Sequence, residues 1–517
     1  MRTSLLRAGV FALVAATALA LATVASAARY VVVFKSGTSG QGVAAVKAAG
    51  GKVVRINELG IGTARSDHPA FARRLRASGK VVAVAHDAAW KQPKLRFVRA
   101  PAVAAQFADV PTAATGCAQQ FQPPGGTGAG PDPLSVCQWD MRIVNASPTG
   151  SYAVNRGEGV DIGIIDTGLD ATHQDIAPNL DVARSCSFIK PGNPTALPQE
   201  IAPTGRACGA AATVQWQDYS GHGTHVGGTA AAPINGVGVA GVAPEATLVA
   251  LKAGSAQGWF FTAEVVDALL YAGEQQLDVV NMSFFADPWL YNCHGQADQQ
   301  AIIQALSKAA QYAVRRGVVL VSAAGNENVD HDHPPDVDDI SPDFPPDAAT
   351  PRPIGNNCVV LPYELPGVST TSSIGPQKVL SFFSSFGNSK VDTTAPGGDS
   401  AQAPNPYGRV LNAWSSTAGP VSTNPTRTVE DCQGPGGTPP CFLYGWIQGT
   451  SMASPHAAGV AALIRSAHPG LPPLAVIARM QNTAMPMDCP PDPRCTGGGQ
   501  TNFYGNGLVD ALAGGTS

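Results

Sequence analysis

The chain has 517 residues, 44% of them hydrophobic and 14% charged, with a formal net charge of −4. That charge excludes the basic footprint of a nucleic-acid binder and the cationic belt of a protein bound to an anionic membrane. With 57 Gly and 43 Pro the chain is loop-rich, but its hydrophobic share builds cores, and its length predicts more than one folded unit.

The N-terminus reads MRTSLLR, then the apolar run AGVFALVAATALALATV, then ASA. Two arginines, an apolar stretch and a small-residue cut site near Ala27 form the layout of a secretory signal peptide, residues 1–27. A retained membrane anchor is the alternative, which the small-residue site disfavours. No later stretch is long and apolar enough to span a bilayer. The expected product is soluble and secreted, with no membrane attachment after cleavage. The ten cysteines suit an oxidising compartment. Cys117 and Cys137, Cys186 and Cys208, Cys432 and Cys441, and Cys489 and Cys495 lie close in sequence, leaving Cys293 and Cys358. Neighbour pairing is the simplest connectivity, although spacing alone does not fix it.

Residues 28–92 form one small α+β unit: RYVVVFK is a strand, GVAAVKAAGG a short helix with a glycine stop, and KVVRINEL and GKVVAVAHDAAW carry further strands. Residues 93–136 read as a Pro/Gly-rich linker. Residues 137–517 alternate strands and helices. VDIGIIDTG and ATLVALKAG are strands. AEVVDALLYAGEQQ is an amphipathic helix before the strand DVVNMSFF, and QQAIIQALSKAAQYAVRRG a long helix before the strand VVLVSAAGN. Short apolar strands alternating with helices predict an α/β unit, a doubly wound parallel sheet covered on both faces. Sites in such sheets lie at the carboxyl ends of the strands.

Polar residues at those ends carry the chemistry. Asp166 ends an apolar strand in IIDTG. His222 stands between glycines in SGHGTH at the start of a small-residue helix. Ser451 follows Gly449 and Thr450 in GTSMASPHAAGVAALI, and Asn326 follows a strand and a glycine in SAAGN. A hydroxyl, an imidazole and a carboxylate are the parts of a nucleophilic triad. A serine at a helix start also offers its own N–H to an oxyanion, with the Asn326 amide as second donor. Each residue alone has an ordinary structural reading as a cap, a turn former or core packing. The order Asp, His, Asn, Ser is what makes the set specific.

With IIDTG, GHGTHVGGT, SAAGN, DTTAPGG and GTSMASPHAAGVAALI in place, residues 140–515 resemble the subtilisin-like serine proteases. The resemblance implies a serine endopeptidase with Asp166, His222 and Ser451 as triad and Asn326 with Ser451 as oxyanion hole. It selects Ser451 over Ser454, and it leaves His456 structural. Protein or peptide substrates and a monomeric enzyme are implied, with no cofactor needed for catalysis. The 28–92 unit resembles the family's propeptide, an intramolecular inhibitor and folding aid removed during self-maturation. A Cys117–Cys137 bridge would put the mature start before residue 117.

Substrate contacts are implied at Lys252, Gly254 and Gly258, by strand addition along LKAGSAQGW, and at Ser283, Phe284, Phe285, Ala324 and Gly325 around the pocket for the residue before the scissile bond. The family has Leu and Gly where Phe284 and Phe285 stand; Phe285 either narrows the pocket or points away. Asp175, Asn235, Val237 and Val239 resemble a structural calcium site. The run NVDHDHPPDVDDISPDFPPD, with His331 and His333, reads as a solvated acidic insertion near the cleft, with cation binding as its alternative. A narrow-specificity processing protease and an inactive binding fold are the other functional readings.

Overall fold

The computed structural model describes residues 27–35, 39–88, 108–120, 130, 132–343, 349–421, 427–434 and 438–516. The expected signal peptide lies outside the described residues, apart from Ala27. Among the described residues no helix is long and apolar enough to cross a membrane.

The N-terminal unit runs β1 (Ala28–Phe34), α1 (Ser39–Ala48), β2 (Lys52–Ile56), β3 (Ile61–Ser66), α2 (Phe71–Ala77) and β4 (Val81–Ala88). Its sheet has the order β2-β3-β1-β4, with β1 antiparallel to both neighbours. Every residue of β1 after Ala28 is buried, because both faces of the sheet are covered. Tyr30, Val32 and Phe34 pack under the unit's own helices with Phe71 and Leu75. Val31 and Val33 face the other way, into a core shared with the large unit. The period of two is thus apolar on both phases, as a sheet between two layers requires.

A helix, α3 (Val110–Gln120), lies inside the stretch expected to be a plain linker. Pro111 sits in its first turn, where proline costs nothing. Ala113 and Cys117 bury against Leu411, Val429 and Trp446, and Cys117 is bonded to Cys137. That packing and the covalent tie order a segment whose composition reads as loop. The remaining cysteines pair as Cys186–Cys208, Cys293–Cys358, Cys432–Cys441 and Cys489–Cys495, so none is free.

The large unit is built on β5 (Asp161–Asp166), β6 (Cys186–Ser187), β7 (Ala207–Cys208), α4 (His222–Ala231), β8 (Thr247–Lys252), α5 (Thr262–Glu274), β9 (Val279–Met282), α6 (Ala297–Arg315), β10 (Val319–Ala323), β11 (Val368–Ile374) and β12 (Thr393–Pro396). These strands form one sheet in the order β12-β11-β10-β9-β5-β8-β6-β7, parallel except for the β6–β7 pair. The order reverses between β5 and β8, the doubly wound pattern whose crevice holds ligands. A second sheet contains β13 (Val410–Trp414), β14 (Thr428–Gly434) and β15 (Thr438–Ile447). The helix α7 (Thr450–Ala467) follows directly.

Both faces of the main sheet are covered, which is why its strands are continuous apolar runs. Ile162, Ile164, Leu248, Ala250, Val319 and Val321 pack with α4 and α7. Val249, Leu251, Val280 and Leu320 pack with α5 and α6 on the opposite face. Helix α7 is buried almost all round from Met452 to Arg465, as its apolar composition demands. A Cβ at Gly459 would come within 2.5 Å of Val242 and 3.2 Å of the Ala230 carbonyl. The small-residue seam therefore lets α4 and α7 approach closely, and it brings their N-termini to one cleft.

Candidate active site

Asp166 is the last residue of β5, His222 the first of α4, and Ser451 the second of α7. Asp166 is fully buried, and its Oδ1 lies 2.8 Å from His222 Nδ1 while accepting the Thr167 N–H at 2.7 Å. That bond fixes the tautomer with the Nδ1 proton facing the carboxylate and Nε2 facing the cleft. Burial pulls the His222 pKa down, but the Asp166 charge, its hydrogen bond and Asp218 outweigh burial and leave it raised. Gly223 is required beside it: a Cβ there would sit 2.2 Å from the Gly168 carbonyl in the Asp166 turn.

Ser451 Oγ donates to the Ser283 carbonyl at 3.1 Å. Asn326 follows β10, and its Oδ1 accepts the Thr450 N–H at 2.8 Å and the Thr450 hydroxyl at 2.9 Å. With Oδ1 engaged, the Asn326 amide N–H groups are left for the cleft. The Ser451 N–H lies in the first turn of α7, where the helix supplies no acceptor. His222, Ser451 and Asn326 all line one cavity of about 390 Å³.

The expected substrate residues divide. Gly258, Ser283, Phe284, Phe285 and Gly325 line this cavity. Phe284 stacks on Phe260 with centroids 4.2 Å apart. Phe285 forms cavity wall while packing on the group around Leu290 and Tyr363. Lys252 is a correction: it is fully buried beneath the cleft, 2.7 Å from Glu200 and bonded to the Thr167 carbonyl, so it braces the turn after Asp166. Gly254 is also off the cavity, its N–H donating to the Asp166 carbonyl at 3.0 Å. The N–H groups of Ala253, Ser255 and Gly258 are likewise bonded within the protein, so these donors are already engaged. Ala324 lies behind the wall, its carbonyl held by buried His331.

Residues outside the sequence motifs surround Asp166, His222 and Ser451. Asp218, fully buried, accepts the Thr167 hydroxyl, the Ser220, Gly221 and Thr224 N–H groups and the Thr224 hydroxyl. It shapes the turn that presents His222, and its place four residues before His222 was the available signal. Asn281 accepts the Ser454 hydroxyl and donates to Ser283 Oγ, which donates to the Ser451 carbonyl at 2.9 Å. Ser454 therefore bonds across to β9 and braces the nucleophile's turn. His456 is buried against Asp140 at 3.1 Å, remote from the base role.

The residues of the expected calcium site do not fit the ion. Calcium needs free oxygen ligands. Asp175 Oδ1 accepts Asn235 Nδ2 at 3.0 Å, and Oδ2 accepts Val239 N–H at 3.1 Å and Tyr444 hydroxyl at 2.7 Å. Asn235 Oδ1 accepts the Val237 N–H at 3.1 Å. Donors thus occupy the position a cation would take, and burial pushes the Asp175 carboxyl up to about 7. The acidic run is no uniform solvated loop either. Asp338 is buried on Arg352 at 2.7 Å, and His331 is buried with its pKa lowered by desolvation to about 4.

Residues 157–507 match the Subtilase family model, Peptidase_S8. Subtilisin NAT of Bacillus subtilis subsp. natto and subtilisin E of Bacillus subtilis are each 29% identical over 357 residues, 69% of this chain and 66% of their own length. Among solved structures, the epidermin leader peptide processing serine protease of Staphylococcus aureus superposes with a TM-score of 0.64 at 19% identity, covering 94% of this chain and 97% of its own. Fervidolysin of Fervidobacterium pennivorans, a keratinolytic enzyme, superposes at 0.60 and 19%, covering 95% of this chain and 61% of its own. Matched along most of its length and folded as these structures are, the chain belongs to the subtilase family.

Proposed function

We propose that the protein is a secreted serine endopeptidase acting through an acyl-enzyme on Ser451. The observation that carries this is the 2.8 Å bond from buried Asp166 to His222, in the same cavity as Ser451 and an Asn326 whose carbonyl side is already engaged. His222 Nε2 takes the Ser451 proton as Oγ attacks the substrate carbonyl, and Asp166 stabilises the imidazolium. The oxyanion forms between the Ser451 N–H and the Asn326 amide. His222 then gives the proton to the leaving amine, and water repeats the sequence to release the acid. Ser451 Oγ must leave the Ser283 carbonyl for His222 on substrate binding, a tightening expected of an unliganded site.

The unit at residues 28–88 is the intramolecular partner in this reading. Arg29, 3% exposed, bonds Glu264 at 2.8 Å and Asp87 at 2.6 Å, and Asp87 accepts the Ala263 N–H at the start of α5. Docked in this way it serves as a folding aid and inhibitor that self-cleavage removes. The test is incubation with a fluorophosphonate followed by mass spectrometry, beside hydrolysis of casein. One adduct on Ser451 and loss of both adduct and hydrolysis in Ser451→Ala support the proposal. Casein hydrolysis without any adduct on Ser451 overturns it.

A further inference from the structure

The cavity beside Ser451 carries both aromatic rings and carboxyls in its lining. Trp259, Phe260, Phe284 and Phe285 supply rings along it. Asp287, 3% exposed, lines it too, its Oδ2 accepting the Phe260 N–H. Asp343 is brought alongside by its N–H bond to the Pro288 carbonyl at 3.0 Å, and its side chain hydrogen-bonds Asp287. Glu327 adds a third carboxyl to the lining. Among the described residues no Lys or Arg lines the cavity.

Holding the Phe260 N–H requires one carboxylate. A second carboxyl against the first makes burial of charge harder, and burial with the Asp343 interaction raises Asp287 well above the usual carboxylate range. Carboxyls in a cavity whose described lining holds no Lys or Arg favour a cationic occupant. The cavity is open to the nucleophile, so its occupant is a substrate side chain. An acidic side chain is repelled here. An aliphatic one covers the rings but offers nothing to the carboxyls. A Lys or Arg lays its methylenes along the rings and brings its charged head to the acids.

Resting on the protease reading, we propose that Asp287 and Asp343 select a basic side chain, Lys or Arg, in the peptide segment bound beside the nucleophile. The experiment uses the mature enzyme, standardised by fluorophosphonate titration, with quenched peptides carrying Arg, Lys, citrulline or norleucine at each of the four positions before the scissile bond. At one position Arg or Lys exceeds its neutral counterpart in kcat/KM by about 10- to 100-fold, the range for a hydrogen bond to a charged group. In Asp343→Asn that ratio falls toward one, and in Asp287→Asn it falls further. Asp343→Asn, at the less buried position, keeps the test valid where Asp287→Asn fails to fold. Equal rates for charged and neutral peptides at every position, or a preference that both variants retain, overturns the proposal while leaving the protease reading intact. No hydrolysis of any peptide and no titratable serine is the separate failure of the protease reading itself.

Discussion

At the scale of single residues, the site is a set of side chains whose second atoms are already committed. Asn326 is held at Oδ1 by Thr450, so replacing it removes the proposed oxyanion donor together with the acceptor of the Thr450 N–H and hydroxyl. Asn326→Ala is expected to lower kcat by about 10²–10³-fold with KM little changed, the loss already known for the oxyanion amide of a subtilisin. Steady-state kinetics on one peptide checks it; a rise in KM alone would place Asn326 in ground-state binding. His222 must be neutral to act as base, and its pKa is raised in the folded enzyme. Activity therefore falls as pH drops through a value above the ordinary histidine figure of about 6.5. A kcat/KM profile with its acidic limb centred below 6.5 contradicts that sign. Asp166, His222 and Ser451 were legible as candidates because strand ends and glycine turns mark them in the sequence, and folding brings them to one site. Asn281 was not, because its bond to Ser454 forms only on folding; Asp218 bonds mostly within its own turn, to Ser220, Gly221 and Thr224, and only its bond to Thr167 depends on folding. Lys252, the last residue of β8, stands at the start of the stretch expected to pair with substrate, but its side chain turns beneath the Asp166 turn to reach Glu200.

At the scale of elements, strands and helices were readable from their apolar runs, and the two-sided burial of β5, β8, β9 and β10 is what those runs require. Helix α3 was not readable, since its order comes from packing and from Cys117–Cys137. The pairing of Cys293 with Cys358 emerges only when residues 292–293 lie antiparallel to 358–359. That bridge spans a separation of 65 residues, and its removal as Cys293→Ser with Cys358→Ser is expected to cost about 2–4 kcal/mol. Urea unfolding checks the figure; an unchanged midpoint would show that the loop is held by packing alone. The 235–240 loop makes the opposite case. Its sequence suits calcium, but its N–H groups and Tyr444 point at Asp175. Melting temperature is therefore expected to be the same in EDTA as in millimolar calcium, and a rise that grows with calcium concentration would contradict the donor-filled site.

At the scale of the whole molecule, two units meet along α5 and α6. Val31 and Val33 join the core of the large unit, while Arg29, Arg55 and Lys190 gather on Glu264 and Asp267. This is a built interface, apolar at its centre with paired charges around it, between a unit proposed to be removed and the unit that removes it. Two units in this order are what the sequence predicts; the docking face was hidden because residues that look like ordinary strand interior, Val31 among them, join the core of the large unit. The proposed chemistry rests on Ser451 as the nucleophile that first matures the chain and then cuts its substrates. Intact mass and N-terminal sequencing of the secreted product, wild type beside Ser451→Ala, test it most directly. Loss of the N-terminal unit in the wild type and its retention in Ser451→Ala is the predicted result. Equal loss in both would contradict self-maturation through Ser451.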